Sequence, residues 1–189
     1  MRVAVIGATG FVGRALVARL AADGFETIPV VRAPAGLPSE RVCGPIEAVA
    51  TWDRLLEGTD AVINLAARVH VMQDTAADPL SEYRRINSAT ALAIAQGAHR
   101  AGARRYLYLS SRKVNGEHTN GRAPFTADES VCPSDPYGRS KLEGERSLLE
   151  LAGSTSLEVV IIRPPLVYGP GVKANFRAMM KWLCTGLPL

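Results

Sequence analysis

Three glycines, Gly7, Gly10 and Gly13, follow the short apolar run Val3 to Ile6 at three-residue spacing. They lead directly into a segment carrying Ala15, Leu16 and Leu20 at helical spacing. A strand, a turn without side chains and a helix, in that order, constrain this chain more than any other feature. The helix that opens there offers unpaired amides and the positive end of its dipole, so a pyrophosphate fits in front of it. Three glycines could instead serve only a tight turn. Their place at the start of a strand-to-helix unit favours dinucleotide binding, with Gly7, Gly10, Phe11, Val12 and Gly13 around the phosphates.

The same rhythm recurs along the chain. Short runs at Thr27 to Val31, Arg41 to Cys43, Ala61 to Leu65, Tyr106 to Ser110 and Leu157 to Ile162 alternate with helical patterns. With the first run they predict six strands in a doubly wound parallel sheet with helices on both faces, an α/β fold of Rossmann-like type. Pro29 objects within the second run. It lacks a ladder donor, so that strand is expected to be bulged or short. Asp78-Pro79 and Asp135-Pro136 read as N-caps with first-turn prolines, and Gly24, Gly102 and Gly153 as helix stops. Residues 112–134 lack sustained periodicity and read as a long loop, a length that usually serves function.

Composition excludes several classes. Hydrophobic residues at 47% and charged residues at 21% suit a folded globular protein, and 189 residues suit one domain. A formal net charge of +4 with dispersed basic residues argues against a nucleic-acid surface and suits an anionic ligand. Cys43, Cys132 and Cys184 are far apart and read as reduced thiols. His70, His99 and His118 are scattered, so no metal is expected. No signal peptide or membrane-spanning run is visible, so a cytoplasmic protein without a membrane partner is expected.

The residue after the second strand discriminates between nicotinamide cofactors, because an acid there binds the ribose 2′-hydroxyl whereas arginine accommodates a 2′-phosphate. Here Val31 is followed by Arg32, and Arg14 could reach the same phosphate. NADP(H) is therefore favoured over NAD(H), with two ordinary surface arginines as the alternative.

Tyr137 and Lys141 are four residues apart after the Asp135-Pro136 signal, on one face of one helical turn. A phenol needs its pKa lowered by about three units, roughly 4 kcal/mol, to exchange protons at neutral pH. A lysine charge at ~4 Å in an effective dielectric near ~20 is worth about that much. Ser110 and Ser111 end the fifth strand, at the carboxyl edge where ligands bind in such sheets, and a serine hydroxyl there could bond a substrate oxygen. A buried tyrosine and a serine turn are the plain alternatives.

Together the glycine loop, Ser110-Ser111 and Tyr137-Gly-Arg-Ser-Lys141 resemble the extended short-chain dehydrogenase/reductase family over nearly the whole chain. The resemblance implies Ser111 as catalytic serine, Tyr137 as acid/base and Lys141 as its partner, with Tyr137 and Lys141 also touching the cofactor. It further implies cofactor contacts from Ile46, from Leu65, Ala66 and Ala67 after the fourth strand, from Asn87, which supports the active site, and from Pro164. Arg163-Pro-Pro-Leu-Val-Tyr-Gly-Pro-Gly171 followed by Asn175 is similar to the nucleotide-sugar epimerase, dehydratase and reductase branch. On that likeness Asn175, Ser110 and Ser111 bind substrate. The loop Val114-Asn115-Gly116-Glu117 with Pro124-Phe125-Thr126 resembles reductases of UDP-4-keto-6-deoxy-N-acetylhexosamines more than UDP-glucose 4-epimerases.

The resemblance implies a nucleotide sugar, a UDP-sugar in particular, as substrate and a homodimer through two long helices. Residues 1–163 read as the dinucleotide-binding domain and 164–189 as the start of a substrate-binding segment whose lobe is truncated. A regulatory module that binds cofactor without turnover, and a hydroxysteroid-type dehydrogenase, are the alternative readings.

Overall fold

The computed structural model describes residues 1–69, 78–172 and 174–185, with the side chains of residues 174 and 175 excepted. Six strands form one parallel sheet: β1 (Arg2–Ile6), β2 (Glu26–Val31), β3 (Arg41–Val42), β4 (Ala61–Asn64), β5 (Arg105–Leu109) and β6 (Glu158–Ile162), in the order β3-β2-β1-β4-β5-β6. This is the doubly wound order, whose direction reverses between β1 and β4 and so opens a crevice at the carboxyl ends of those strands. The helices are α1 (Phe11–Ala22), α2 (Trp52–Leu55), α3 (Pro79–Arg84), α4 (Ala91–Arg100), α5 (Pro136–Ser154) and α6 (Ala174–Leu183). A π-helical segment, Arg85–Thr90, joins α3 to α4 without a break. Among the described residues no helix is long and apolar enough to cross a membrane.

Alternation along the strands builds two cores. Ala4, Ile6, Val62, Tyr106 and Tyr108 face one way and are covered by α2, α4 and α5 through Trp52, Leu56, Ile94, Ala98 and Leu148. Val3, Val5 and Val31 face the other way, against Leu16, Val17 and Leu20 of α1. On that second face α1 lies over β1 and β2, and Val160 and Ile162 of β6 are exposed.

Pro29 neither bulges nor shortens its strand: β2 pairs with β1 in unbroken register, Val5 opposite Pro29. Glu26 N donates to Met1 O, and Val31 O accepts from Cys43 N. Odd-numbered residues of β2 therefore aim their backbone at β3, and β3 first pairs at Val30. The missing donor of Pro29 faces a position where no ladder partner exists. Gly24 and Gly102 end their helices at φ of 81°, whereas Gly153 stays inside α5, which runs on to Ser154.

Candidate active site

The glycine loop closes between β1 and α1. Gly7 has φ of 82°, and a Cβ there would lie 3.1 Å from Ala66 N. A Cβ at Gly13 would overlap Gly7 O and Ala8, so α1 can approach the turn only without one. Gly10 caps α1 with no side-chain bond, and the first turn holds no acidic residue. Its amides are thus left to a ligand rather than to a protein carboxylate. In front of them lies a cleft of about 480 Å³, walled by Gly7, Thr9 and Gly10, by Arg32 past β2, by Ile46 and Glu47, by Leu65 to Arg68 past β4, and by Arg85 and Ile86. The uncapped helix end and the close backbone approach that Gly7 and Gly10 allow fit a dinucleotide pyrophosphate.

Phe11, Val12 and Gly13 form the first turn of α1 behind this wall. Arg14 does not line the cleft: its Nε donates to Thr9 O at 2.9 Å, fastening the glycine loop from outside. Pro164 lies apart from the cleft wall too, and its carbonyl accepts from Arg112 N at 3.1 Å. Arg85, absent from the sequence reading, reaches the cleft while bonded to Glu47 and Glu82. Only the wide π turn places it there, and the 3.6-residue pattern carries no sign of that turn.

Asn87 is fully buried in that turn and links the cleft to α5. Its Oδ1 accepts from Arg68 N, while its Nδ2 donates to Arg68 O and to Ser140 Oγ, all at 3.0 Å. Ser140 Oγ in turn donates to Tyr137 O at 2.7 Å. The Tyr108 hydroxyl donates to Asn87 O at 2.5 Å. Gly144 lets α5 come this close, since a Cβ there would overlap Asn87 O.

The amino terminus of α5 is set by Asp135, whose Oδ1 accepts from Gly138 N at 2.6 Å, with Pro136 in the first turn. From it Tyr137, Lys141 and Glu145 descend one face at four-residue intervals. Each meets one of the three consecutive residues at the end of β5. The Ser111 side chain faces the Tyr137 phenol and opposes the rise of its pKa, Lys141 Nζ donates to Leu109 O at 2.8 Å, and Ser110 Oγ donates to Glu145 Oε1 at 2.5 Å. Ser111 also accepts from Lys113 N at 3.2 Å, capping the turn Arg112–Val114. The ring of Tyr137 meets Tyr83 edge-on at 6.1 Å.

These contacts revise two expectations. Ser110 is buried and its hydroxyl is taken by Glu145, so it is turned away from any substrate; strand alternation puts it on the same face as Tyr106 and Tyr108. Lys141 does not pull the Tyr137 pKa down. Burial pushes the phenol above its ordinary value, with Ser111 opposing, and the Lys141 ammonium sits instead 4.4 Å from the Tyr108 ring centroid. Burial lowers Lys141 to about 7 against the opposing charge of Glu145. Asn175 falls on α6, and its side chain lies outside the described residues, as does His70.

Sequence reasoning missed Glu145 and Arg163. The Arg163 guanidinium grips Glu145 through NH2 at 2.6 Å and Nε at 3.0 Å. The four-residue step from Lys141 to Glu145 was the available signal.

The NAD dependent epimerase/dehydratase family matches residues 3–184. A UDP-glucose 4-epimerase of Vibrio cholerae is 43% identical over 188 residues, 97% of this chain and 57% of that protein. A ceramide reductase of Caulobacter vibrioides is 32% identical over 175 residues, 89% of this chain and 47% of that protein. Among solved structures, MoeE5 in complex with UDP-glucuronic acid and NAD is similar with a TM-score of 0.80 at 30% identity, over 93% of this chain and 58% of that one. The chain spans about half the length of the curated relatives it matches. With the glycine loop, the strand order and the match over nearly all its residues, the chain belongs to the NAD-dependent epimerase/dehydratase family.

Proposed function

We propose that this chain is the dinucleotide-binding half of a nucleotide-sugar oxidoreductase, a 4-ketoreductase or 4-epimerase of UDP-sugars. The observation that carries the reading is the placement of Ser111 beside the Tyr137 phenol at the carboxyl edge of the sheet, with Lys141 one turn further along α5. When bound, the nicotinamide supplies or accepts the hydride. Ser111 holds the sugar oxygen, and Tyr137 passes the proton to it in reduction or takes it in oxidation. Burial moves the phenol's pKa further above neutrality, so Tyr137 carries the proton that the acid of a reduction needs. Residues 164–189 we take as the start of the substrate-binding segment.

NADP(H) is the preferred cofactor of this reading, supported by Arg32 at the end of β2 and by the absence of an acid at that position. NAD(H) is a second reading, favoured by Glu47 in the cleft wall, a carboxylate able to accept from ribose hydroxyls. Titration with both reduced cofactors separates them. NADPH is expected to bind tighter, and Arg32→Ala to weaken NADPH about tenfold while leaving NADH nearly unchanged. NADH binding as tightly as NADPH to the unaltered protein overturns the preference.

The chemistry is tested by screening UDP-sugars and their 4-keto forms for turnover. Tyr137→Phe is expected to lower turnover by roughly 10²- to 10⁴-fold with little change in dinucleotide affinity. Full turnover in that variant rules the mechanism out. Dinucleotide binding without turnover on any sugar nucleotide would favour a regulatory module instead.

A further inference from the structure

We propose that Glu145 is a third member of the functional stripe on α5, a positioning residue that supplies the buried counter-charge of Lys141 and locks the ends of β5 and β6 to the helix. The inference rests on the reading proposed above of α5 as the helix that brings Tyr137 and Lys141 to the active site.

Tyr137 faces Ser111, Lys141 holds Leu109 O and Glu145 holds Ser110, so one helix face reads three successive residues of one strand end. Contacts from three successive turns of one helix face with the last residue of a strand and the two residues after it hold the helix both along and around its axis. Glu145 is 1% exposed and Lys141 likewise 1% exposed. A carboxylate at that depth needs its lone pairs satisfied, and among the described residues its hydrogen-bond partners, Ser110 and Arg163, come from strand ends. Ser110 comes from β5, and Ser110 N also donates to Ile162 O at 2.8 Å, tying β5 to β6. Arg163, the residue after β6, forks onto both Glu145 oxygens. Its NH1 reaches Ala127 O at 3.3 Å, carrying the lock to the loop beyond β5.

The placement has an electrostatic consequence. The groups facing Lys141 are Glu145 on its own helix and Tyr108 of β5, with Arg163 behind Glu145. The π segment adds neutral Asn87 at this level. The Arg84–Glu143 pair, where α3 meets α5, is partly exposed to solvent. Glu145 is thus the buried anion that opposes the loss of the Lys141 proton, while Arg163 takes up part of its charge.

The test reads Lys141 directly and needs no substrate. The sequence holds four lysines, few enough for each Cε resonance of lysine-labelled protein to be followed through a pH titration. Glu145→Gln is expected to lower the Lys141 midpoint by about one pH unit. Arg163→Gln, which leaves Glu145 charged and removes its competing partner, is expected to raise it. Opposite signs support the proposal, because general loosening of the fold would move both variants the same way. A midpoint unmoved in Glu145→Gln, or movement of both variants in one direction, overturns it. Should Glu145→Gln fail to fold, Arg163→Gln is read with the hydrogen exchange of the α5 amides: a rise with those amides still protected supports the proposal, and no rise, a fall, or a rise that accompanies lost protection overturns it. The titration stands apart from turnover, so failure of the Tyr137→Phe test would remove the enzymatic reading without touching this result.

Discussion

Lys141 shows what a single side chain pays for its position. In the folded protein burial brings its pKa to about 7, from an ordinary value of 10.5. Below pH 7 both folded and unfolded chains hold the proton, and the cost of burying the charge is fully present. Between pH 7 and 10.5 the unfolded chain binds more protons, so this residue's contribution to stability rises with pH across that window. Lys141→Met removes the titration. The melting temperature of the variant, measured against the parent, is expected to stand highest at pH 6 and to lose ground by pH 9. A difference constant over that range would show that the lysine is not buried as a cation. The same residue scale separates Ser110 from Ser111. Adjacent in sequence, they differ by strand alternation, one turned under α5 and the other left at the strand end with Tyr137.

At the scale of elements, α5 is placed by its first turn. Asp135 accepts from Gly138 N through one oxygen and pairs with Lys113 Nζ at 3.0 Å through the other. Lys113 also pairs with Glu117 at 2.6 Å, holding the turn after β5 against the helix that carries Tyr137. Asp135→Ala is expected to cost about 1 kcal/mol in denaturant melts, the usual loss of an N-cap. Asp135→Asn, which retains the cap acceptor, should recover most of it. Equal losses in both would assign the effect to the Lys113 pair. Both Asp-Pro helix starts were legible because a cap and its proline are neighbours in sequence, as were Gly24 and Gly102. The π segment was not, since it depends on Gly144 of a distant helix letting α5 approach Asn87 O. Pro29 misled for a related reason. Its harmlessness depends on the length of β3, which only strand pairing reveals.

At the scale of the molecule, the order of six strands with helices between them was readable because each strand and helix announces itself within a few residues. The glycine loop was readable too, since strand, turn and helix are contiguous, and so was the pairing of Tyr137 and Lys141 on one helical face. Their partners were not. Lys141 turning to Leu109 O and Tyr108, Arg14 folding back onto Thr9, and Arg163 closing on Glu145 all depend on which side of the sheet α5 packs and how closely. Short-range periodicity encodes which face of an element a residue occupies. What that face meets is decided by packing between segments far apart in the chain, where the fit of Gly144 and Asn87 carries the information that spacing cannot.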